Sequence, residues 1–146
     1  NKLIANVTRN MAYSSNNFSV HSTDTVIERE FGGKEGYSDF FQELNSTGDY
    51  GKLGVVHRQN QKEAHESMKN GVRHVIIDNT NLTRREFKPY LKSAEEFEYH
   101  VVIHNVEYKP LTAEQLAERN THNVPLEVIE KMIEKFDRDP QMKVLS

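Results

Sequence analysis

An apolar run that ends abruptly in polar residues constrains the fold of this chain more than any other feature. The segment HVIIDNTNL, residues 74–82, places an apolar stretch at 75–77 directly before four polar residues at 78–81. A short apolar run rich in β-branched residues is typical of a strand buried in a parallel sheet. Polar residues at the carboxyl end of such a strand lie where open α/β sheets bind their ligands. The segment therefore predicts a central strand with a binding site at its end.

Helical and strand patterns alternate along the rest of the chain. Apolar spacing and end signals predict helices at 2–13, 55–70, 83–97, 111–120 and 124–139, and further strands at 18–24 and 98–107. Alternation of this kind indicates crossover connections between parallel strands. The predicted fold class is therefore α/β, with a three-layer arrangement of a parallel sheet and helices on both faces. We expect a single domain that spans residues 1–146.

The segment 28–54 is rich in Gly, Ser, Asp and aromatic residues. We predict a long loop there, with a short helix at 39–44. Long loops in compact domains commonly carry function. This loop is therefore expected to select the substrate.

The composition of the chain excludes several classes of protein. Charged residues make up 28% and hydrophobic residues 36% of the 146 residues, which is typical of a globular domain rather than a disordered chain. The net charge of −3 argues against a general nucleic-acid coat protein but allows a local basic pocket. The absence of cysteine excludes disulfides and thiolate metal sites, and it is compatible with the cytoplasm or another reducing compartment. No apolar run reaches the roughly 20 residues of a membrane span, and the spacing of the histidines predicts no metal site.

Several segments occur in the order and at the distances found in one family, namely HSTDT, HRQNQKEA, HVIIDNTNL, LAERNTHNVP and KMIEKF. The chain resembles the polynucleotide 5′-kinase family of P-loop phosphotransferases over about residues 3–139, and the most specific match is IIDNTNL followed by FKPY. The resemblance implies a P-loop NTPase or kinase-like fold and transfer of the γ-phosphoryl group of ATP, with Mg²⁺, to a hydroxyl group. The implied partner is a nucleic-acid end that carries a 5′-OH, or a small hydroxylated substrate.

The resemblance also implies roles for individual residues. Asp24 corresponds to the carboxylate that accepts or orients the proton of the attacking hydroxyl. Arg119 corresponds to the cation of a lid, predicted at 112–124, that contacts the phosphates of ATP. His122 is the candidate for a second lid cation. Thr25 stands where the family often has a second acid, which is a departure from its pattern.

Two further groups of residues are implied to surround the same cleft. The acceptor site is expected to be lined by the polar residues that follow the central strand, Asp78, Asn79, Thr80 and Asn81. His57 and Asn60 match a His-x-x-Asn pattern that the family places near that site. Each of these residues also has an ordinary structural interpretation, as part of a turn, a helix cap, a solvated helix-end charge or a hydrogen-bonded histidine.

The phosphate cradle of the family has no counterpart in the 146 residues. The motif G-x-x-x-x-G-K-[ST] does not occur, and FGGKEG and DYGKLG lack both its spacing and its final Ser or Thr. Because the chain begins within what corresponds to the family's first helix, we expect the first strand and the phosphate loop to lie upstream of residue 1. Two alternatives stay open: a nucleotide- or nucleic-acid-binding module that has lost its phosphate loop, and a small-molecule kinase on the same fold.

Overall fold

The computed structural model describes residues 17–106, 112–120, 124–136 and 142–145. Its elements, in chain order, are β1 (Phe18–His21), α1 (Thr23–Phe31), α2 (Gly33–Thr47), α3 (Gly51–Lys69), β2 (His74–Ile77), α4 (Arg84–Glu96), β3 (Ile103–Val106), α5 (Ala113–Arg119), α6 (Leu126–Lys135) and β4 (Met142–Leu145). The helix predicted at 2–13 lies outside the described residues. None of the described helices combines the length and the apolar character that crossing a bilayer requires.

The chain divides into two compact units, which are described separately. The first contains the described residues up to Asn79 together with Tyr90–Tyr99. The second contains Thr80–Pro89 and the described residues from His100 onward. This division does not test the single domain expected over 1–146, which stays a prediction.

Each unit contains one pair of parallel strands. In the first unit β1 pairs with β2, from Phe18 opposite His74 to His21 opposite Ile77. In the second unit β3 pairs with β4 in the same orientation. The predicted α/β class with parallel strands is thereby confirmed. The strand β4 was not expected, because the sequence pattern beyond Pro140 is too short to show a period.

The prediction of a long loop at 28–54 is wrong. The structure has the end of α1, all of α2 and the start of α3 in this segment. Gly32 and Gly48 adopt left-handed conformations and end helices there, because glycine meets no Cβ penalty at positive φ. On α2, Tyr37, Phe40 and Leu44 recur at helical spacing and are buried. They pack with residues of α1 and α3 in the core of the first unit, Val26, Ile27 and Val56.

The other predicted elements are present with shifted ends. The helix predicted at 55–70 is α3, and the helix predicted at 83–97 is α4, which contains Pro89. A capping box starts α5, since the Thr112 side chain accepts from the Gln115 N–H and the Gln115 side chain accepts from the Thr112 N–H. The strand predicted at 98–107 is shorter, because the Tyr99 N–H bonds to the Ala94 carbonyl and so closes the end of α4.

The close approach of α1 and α2 depends on one glycine. A Cβ at Gly36 would collide with the backbone carbonyl of Phe31, which cannot move away as a flexible side chain could. Gly36→Ala is therefore expected to reduce the free energy of unfolding by about 1–3 kcal/mol in urea denaturation. Gly54→Ala is the matched control, because its Cβ would lie 3.4 Å from the Arg58 side chain and alanine raises helix propensity. It should stabilise the protein by about 0.5–1 kcal/mol, and equal effects at both positions would contradict the proposed packing.

Candidate functional site

The carboxyl ends of β1 and β2 lie side by side in the first unit. Beyond the last paired residues, the Asp78 N–H donates to the His21 carbonyl oxygen at 2.9 Å. Asp78 therefore continues the ladder by one residue and is half-buried at the edge of the strand pair. The segments that follow the two strands begin at this common edge, as expected for ligand sites of parallel sheets.

The helix α1 begins at this edge and is capped from the neighbouring strand. Ser22 occupies the N-cap position, but its side chain makes no capping hydrogen bond. Instead, the Thr23 N–H donates to Oδ1 of Asn79 at 2.9 Å. Asn79 thus supplies the acceptor that an N-cap side chain normally provides, and the start of α1 is tied to the end of β2.

Asn79 is itself held by a buried tyrosine. Its Nδ2 donates to the Tyr90 hydroxyl at 3.3 Å, and Nδ2 of Asn60 donates to the same hydroxyl at 2.8 Å. Burial raises the pKa of Tyr90, and the two amide donors oppose only part of this effect. The hydroxyl therefore stays protonated at neutral pH. Asn60 is 0% exposed and contacts this part of the molecule through the Tyr90 hydroxyl, and its role in binding substrate stays a prediction.

His57 contacts the first turn of α1, which Asn79 also caps. Its Nδ1 lies 3.2 Å from Oγ1 of the buried Thr23, while the ring itself is exposed. The structure thus brings His57 and Asn79 together at Thr23, the residue that precedes Asp24, and Asn60 is linked to them through the Tyr90 hydroxyl. The two residues of the His-x-x-Asn pattern therefore lie in different environments, because His57 is exposed and Asn60 is buried.

Asp24 lies in the first turn of α1 and not at the end of a strand. The strand predicted at 18–24 ends at His21, because α1 already begins at Thr23. The carboxylate is exposed, and Oδ1 accepts a hydrogen bond of 3.0 Å from the Tyr37 hydroxyl. Burial, followed by the negative charge of Asp24, raises the pKa of Tyr37. This tyrosine therefore remains a donor that fixes the carboxylate.

Tyr37 is the site residue that the sequence pattern missed. It lies within the segment that was expected to form a loop. Its signal was its spacing from Phe40 and Leu44, which marks the buried face of α2. A helical interpretation of that segment would have placed a hydroxyl-bearing aromatic residue on this face.

The remaining predicted site residues belong to the second unit or lie outside the described residues. Thr80 is exposed, and Asn81 has a φ of 45°. Arg119 is the exposed last residue of α5, where a cation is also favoured by the helix dipole. His122 falls outside the described residues, as do 121–123 of the expected lid at 112–124.

Comparison with known proteins identifies the family. Residues 7–138 match the family described as an AAA domain, which has a P-loop kinase-like fold. The chain belongs to this family. It is also 37% identical over 90 residues to NEDD4-binding protein 2 of Homo sapiens, a match that covers 59% of this chain and 5% of that protein. The chain thus spans only a small part of the relative's length.

The geometry of the first unit agrees with this AAA domain assignment. Membership in the family gives the chain a nucleotide-binding, P-loop kinase-type domain. In the part of the chain that the structure describes, no group of three or more His, Cys, Asp or Glu residues could hold a metal ion. Magnesium ions in phosphoryl-transfer sites are usually bound through one or two carboxylates together with substrate phosphates.

The second unit of this AAA domain contains an open apolar cavity of about 350 Å³. Its lining comes from Thr80, Leu82 and the region of α5 and α6, with Leu116, Ile129 and Phe136 among the apolar side chains. At the rim, Nδ2 of Asn120 donates to the Ala117 and Val124 carbonyls, and its Oδ1 accepts from the Val124 N–H. Asn120 therefore joins the end of α5 to the start of α6.

A buried histidine near the site is expected to make stability depend on pH. His21 is 8% exposed, and its Nε2 lies 3.0 Å from Oγ of Ser19 and 2.9 Å from Oγ of Ser67. Burial lowers the pKa of His21, and the charge of Glu63 opposes this only in part. Because the unfolded chain binds the proton more tightly, the stabilisation is fully present above about pH 6.5 and is lost as the pH falls through the lower folded-state pKa.

Urea denaturation between pH 5 and pH 8 measures this effect. The pH dependence should flatten in His21→Gln and should be retained in His74→Gln, a change at an exposed position of β2. A wild-type unfolding free energy that rises on acidification from pH 7 would contradict the assignment.

Proposed function

We propose that this domain transfers the γ-phosphoryl group of ATP to a hydroxyl group, preferentially the 5′-OH of a polynucleotide end. The observation that carries the proposal is the position of Asp24. Its exposed carboxylate stands in the first turn of α1, at the edge where two parallel strands end, and a protonated tyrosine holds it. A fixed, solvent-accessible carboxylate at this edge suits the deprotonation of a hydroxyl nucleophile.

The reaction requires little covalent chemistry from the protein. The acceptor oxygen attacks the γ-phosphorus, the bond from phosphorus to the ADP oxygen breaks, and the hydroxyl proton passes to the Asp24 carboxylate. The Tyr37 hydrogen bond selects the orientation of that carboxylate.

The other residues of the network support the position of Asp24. Asn79 caps α1, and Tyr90 with Asn60 holds Asn79. We assign these three residues a positioning role. Asp78, Thr80 and Asn81 are the proposed contacts to the acceptor. The Asp78 carboxylate can accept from a sugar hydroxyl, and the hydroxyl of Thr80 and the amide of Asn81 can donate to sugar and phosphate oxygens.

Cations complete the proposed chemistry. Arg119 is proposed to bind phosphate oxygens of the transferring group through its guanidinium, with His122 as a second donor. Mg²⁺ would be held by the nucleotide phosphates together with the carboxylate of Asp78, an oxygen ligand of the kind it prefers. When bound, it neutralises charge on the phosphates.

A transfer assay with the full-length protein tests the proposal. The protein is incubated with γ-labelled ATP and Mg²⁺, and with 5′-OH DNA, 5′-OH RNA or a nucleoside as acceptor. Label should appear at the 5′ end of an oligonucleotide and should disappear when Mg²⁺ is chelated. Binding of ATP without transfer to any of these acceptors would reject the proposal and favour a non-catalytic binding module.

A further inference from the structure

The helix α4 carries its charges in the order that its own dipole disfavours. Arg84 and Arg85 occupy the first turn, Lys88 follows in the second, and the last turn holds Glu95 and Glu96. Helix dipoles favour acids at the start and cations at the end. Intrinsic helix stability therefore does not explain the placement of Arg84, Arg85 and Lys88, which we call the basic cluster.

The single acid of the first turn does not neutralise the basic cluster. Oε2 of Glu86 accepts from the Leu82 N–H at 2.9 Å, and Oε1 accepts from Nζ of Lys135 at 2.8 Å. Its charge is thus matched by a lysine of α6. No carboxylate among the described residues forms an ion pair with Arg85 or Lys88.

The members of the basic cluster share one side of α4. Lys88 is four residues after Arg84 and three after Arg85, spacings that place side chains next to each other on a helix. All three side chains are exposed. Three cations within two turns form a local positive surface on a chain whose net charge is −3.

We propose that the basic cluster binds the phosphate backbone of the nucleic-acid strand whose end is the acceptor. Arg84 follows Asn81 by three residues, so the backbone of the cluster starts within about 10 Å of the segment proposed to hold the acceptor. Guanidinium and ammonium groups are the side chains that pair with phosphate oxygens. A small hydroxylated acceptor has no backbone phosphates for these cations, so the cluster assigns a polymer as the substrate class.

This inference takes the acceptor site from the proposed function, but strand binding can be measured without any transfer. The probe is a fluorescent, single-stranded 5′-OH DNA 12-mer, titrated with the full-length protein without ATP at several salt concentrations. Arg85→Glu combined with Lys88→Glu should weaken binding at least about tenfold, because a cation that pairs with a phosphate releases counterions from the strand. The slope of log K against log salt should become shallower by about 0.7 for each phosphate that the variant no longer neutralises.

Two controls separate the cluster from general charge and from folding. Lys62→Glu combined with Lys69→Glu makes the same change in net charge at exposed positions of α3 and should alter binding less than about twofold. Lys88→Arg should retain binding. The melting temperature of the charge-reversed cluster should be unchanged or higher, because acids at the start of α4 agree with its dipole.

The outcomes distinguish the surface from the chemistry. Unchanged oligonucleotide binding in the charge-reversed cluster, or an equal loss in the α3 control, would overturn the inference even if transfer occurs. Cluster-dependent binding supports it even if the transfer assay fails and the kinase proposal falls. A nucleoside phosphorylated as efficiently as an oligonucleotide would also count against the cluster as a determinant of substrate class.

Discussion

Replacing Asp24 by asparagine is expected to reduce phosphoryl transfer to a 5′-OH end by about 10²- to 10⁴-fold, the usual contribution of a general base. An asparagine can still accept the hydrogen bond from Tyr37, so the geometry of the first turn of α1 should be kept. It cannot accept the proton of the attacking hydroxyl. The loss should therefore appear in kcat, with little change in the affinity for ATP.

Steady-state kinetics of Asp24→Asn beside Asp39→Asn measures this effect. Asp39 is an exposed carboxylate of α2, so its replacement makes the same change in charge away from the site edge and should leave kcat unaltered. Equal activity of the Asp24→Asn variant and the wild type would exclude Asp24 as the base. A comparable loss in Asp39→Asn would indicate a general effect of charge instead.

Replacing Leu44 by alanine is expected to lower the free energy of unfolding by about 2–5 kcal/mol, the range for a leucine truncated in a packed core. Leu44 is 1% exposed and belongs to the buried face of α2, together with Tyr37 and Phe40. The loss combines the transfer of the side chain from water with the cavity that remains.

Urea denaturation of Leu44→Ala and Val55→Ala distinguishes a packed helix from a loop. Val55 is 56% exposed at the start of α3, so its truncation should change the free energy of unfolding by less than about 0.5 kcal/mol. A similarly small effect at Leu44 would contradict a packed helix and support the loop that the composition of segment 28–54 predicts.

The sequence was sufficient for the elements with a strong period. The run before Asp78 identified β2, and the apolar spacing together with Gly71 identified α3. The apolar pattern of each such element lies within one short segment, so a single chain reveals it. The prediction failed at 28–54 because a high density of glycine is typical of a loop, whereas two of these glycines, Gly32 and Gly48, end helices. The spacing of Tyr37, Phe40 and Leu44 marks one face of α2, and packing against α1 and α3 buries that face.

The candidate site could be predicted only in part, for a related reason. Strand-end residues such as Asp78 and Asn79 are recognisable from the pattern that precedes them. The cap from Asn79 to Thr23 and the donor Tyr37 depend on contacts between distant parts of the chain. No spacing rule in the sequence encodes them. A sequence motif also does not show how exposed its residues are, since Asn60 was expected at the cleft but is buried in the interior.

The hydroxyl of Tyr90 has a consequence for the order in which the domain can assemble. It accepts hydrogen bonds from Asn60 and Asn79. Asn79 in turn accepts from the N–H of Thr23 at the start of α1, which lies 56 residues earlier in the chain. A nascent polypeptide in which α4 has not yet been synthesised contains Asp24. It lacks the hydrogen bond from Asn79 to Tyr90 that holds the cap of α1 in place. Contacts between such remote segments form late, because closing long loops is slow. The turn that holds Asp24 should therefore mature last, after the hydrophobic layers around it have formed.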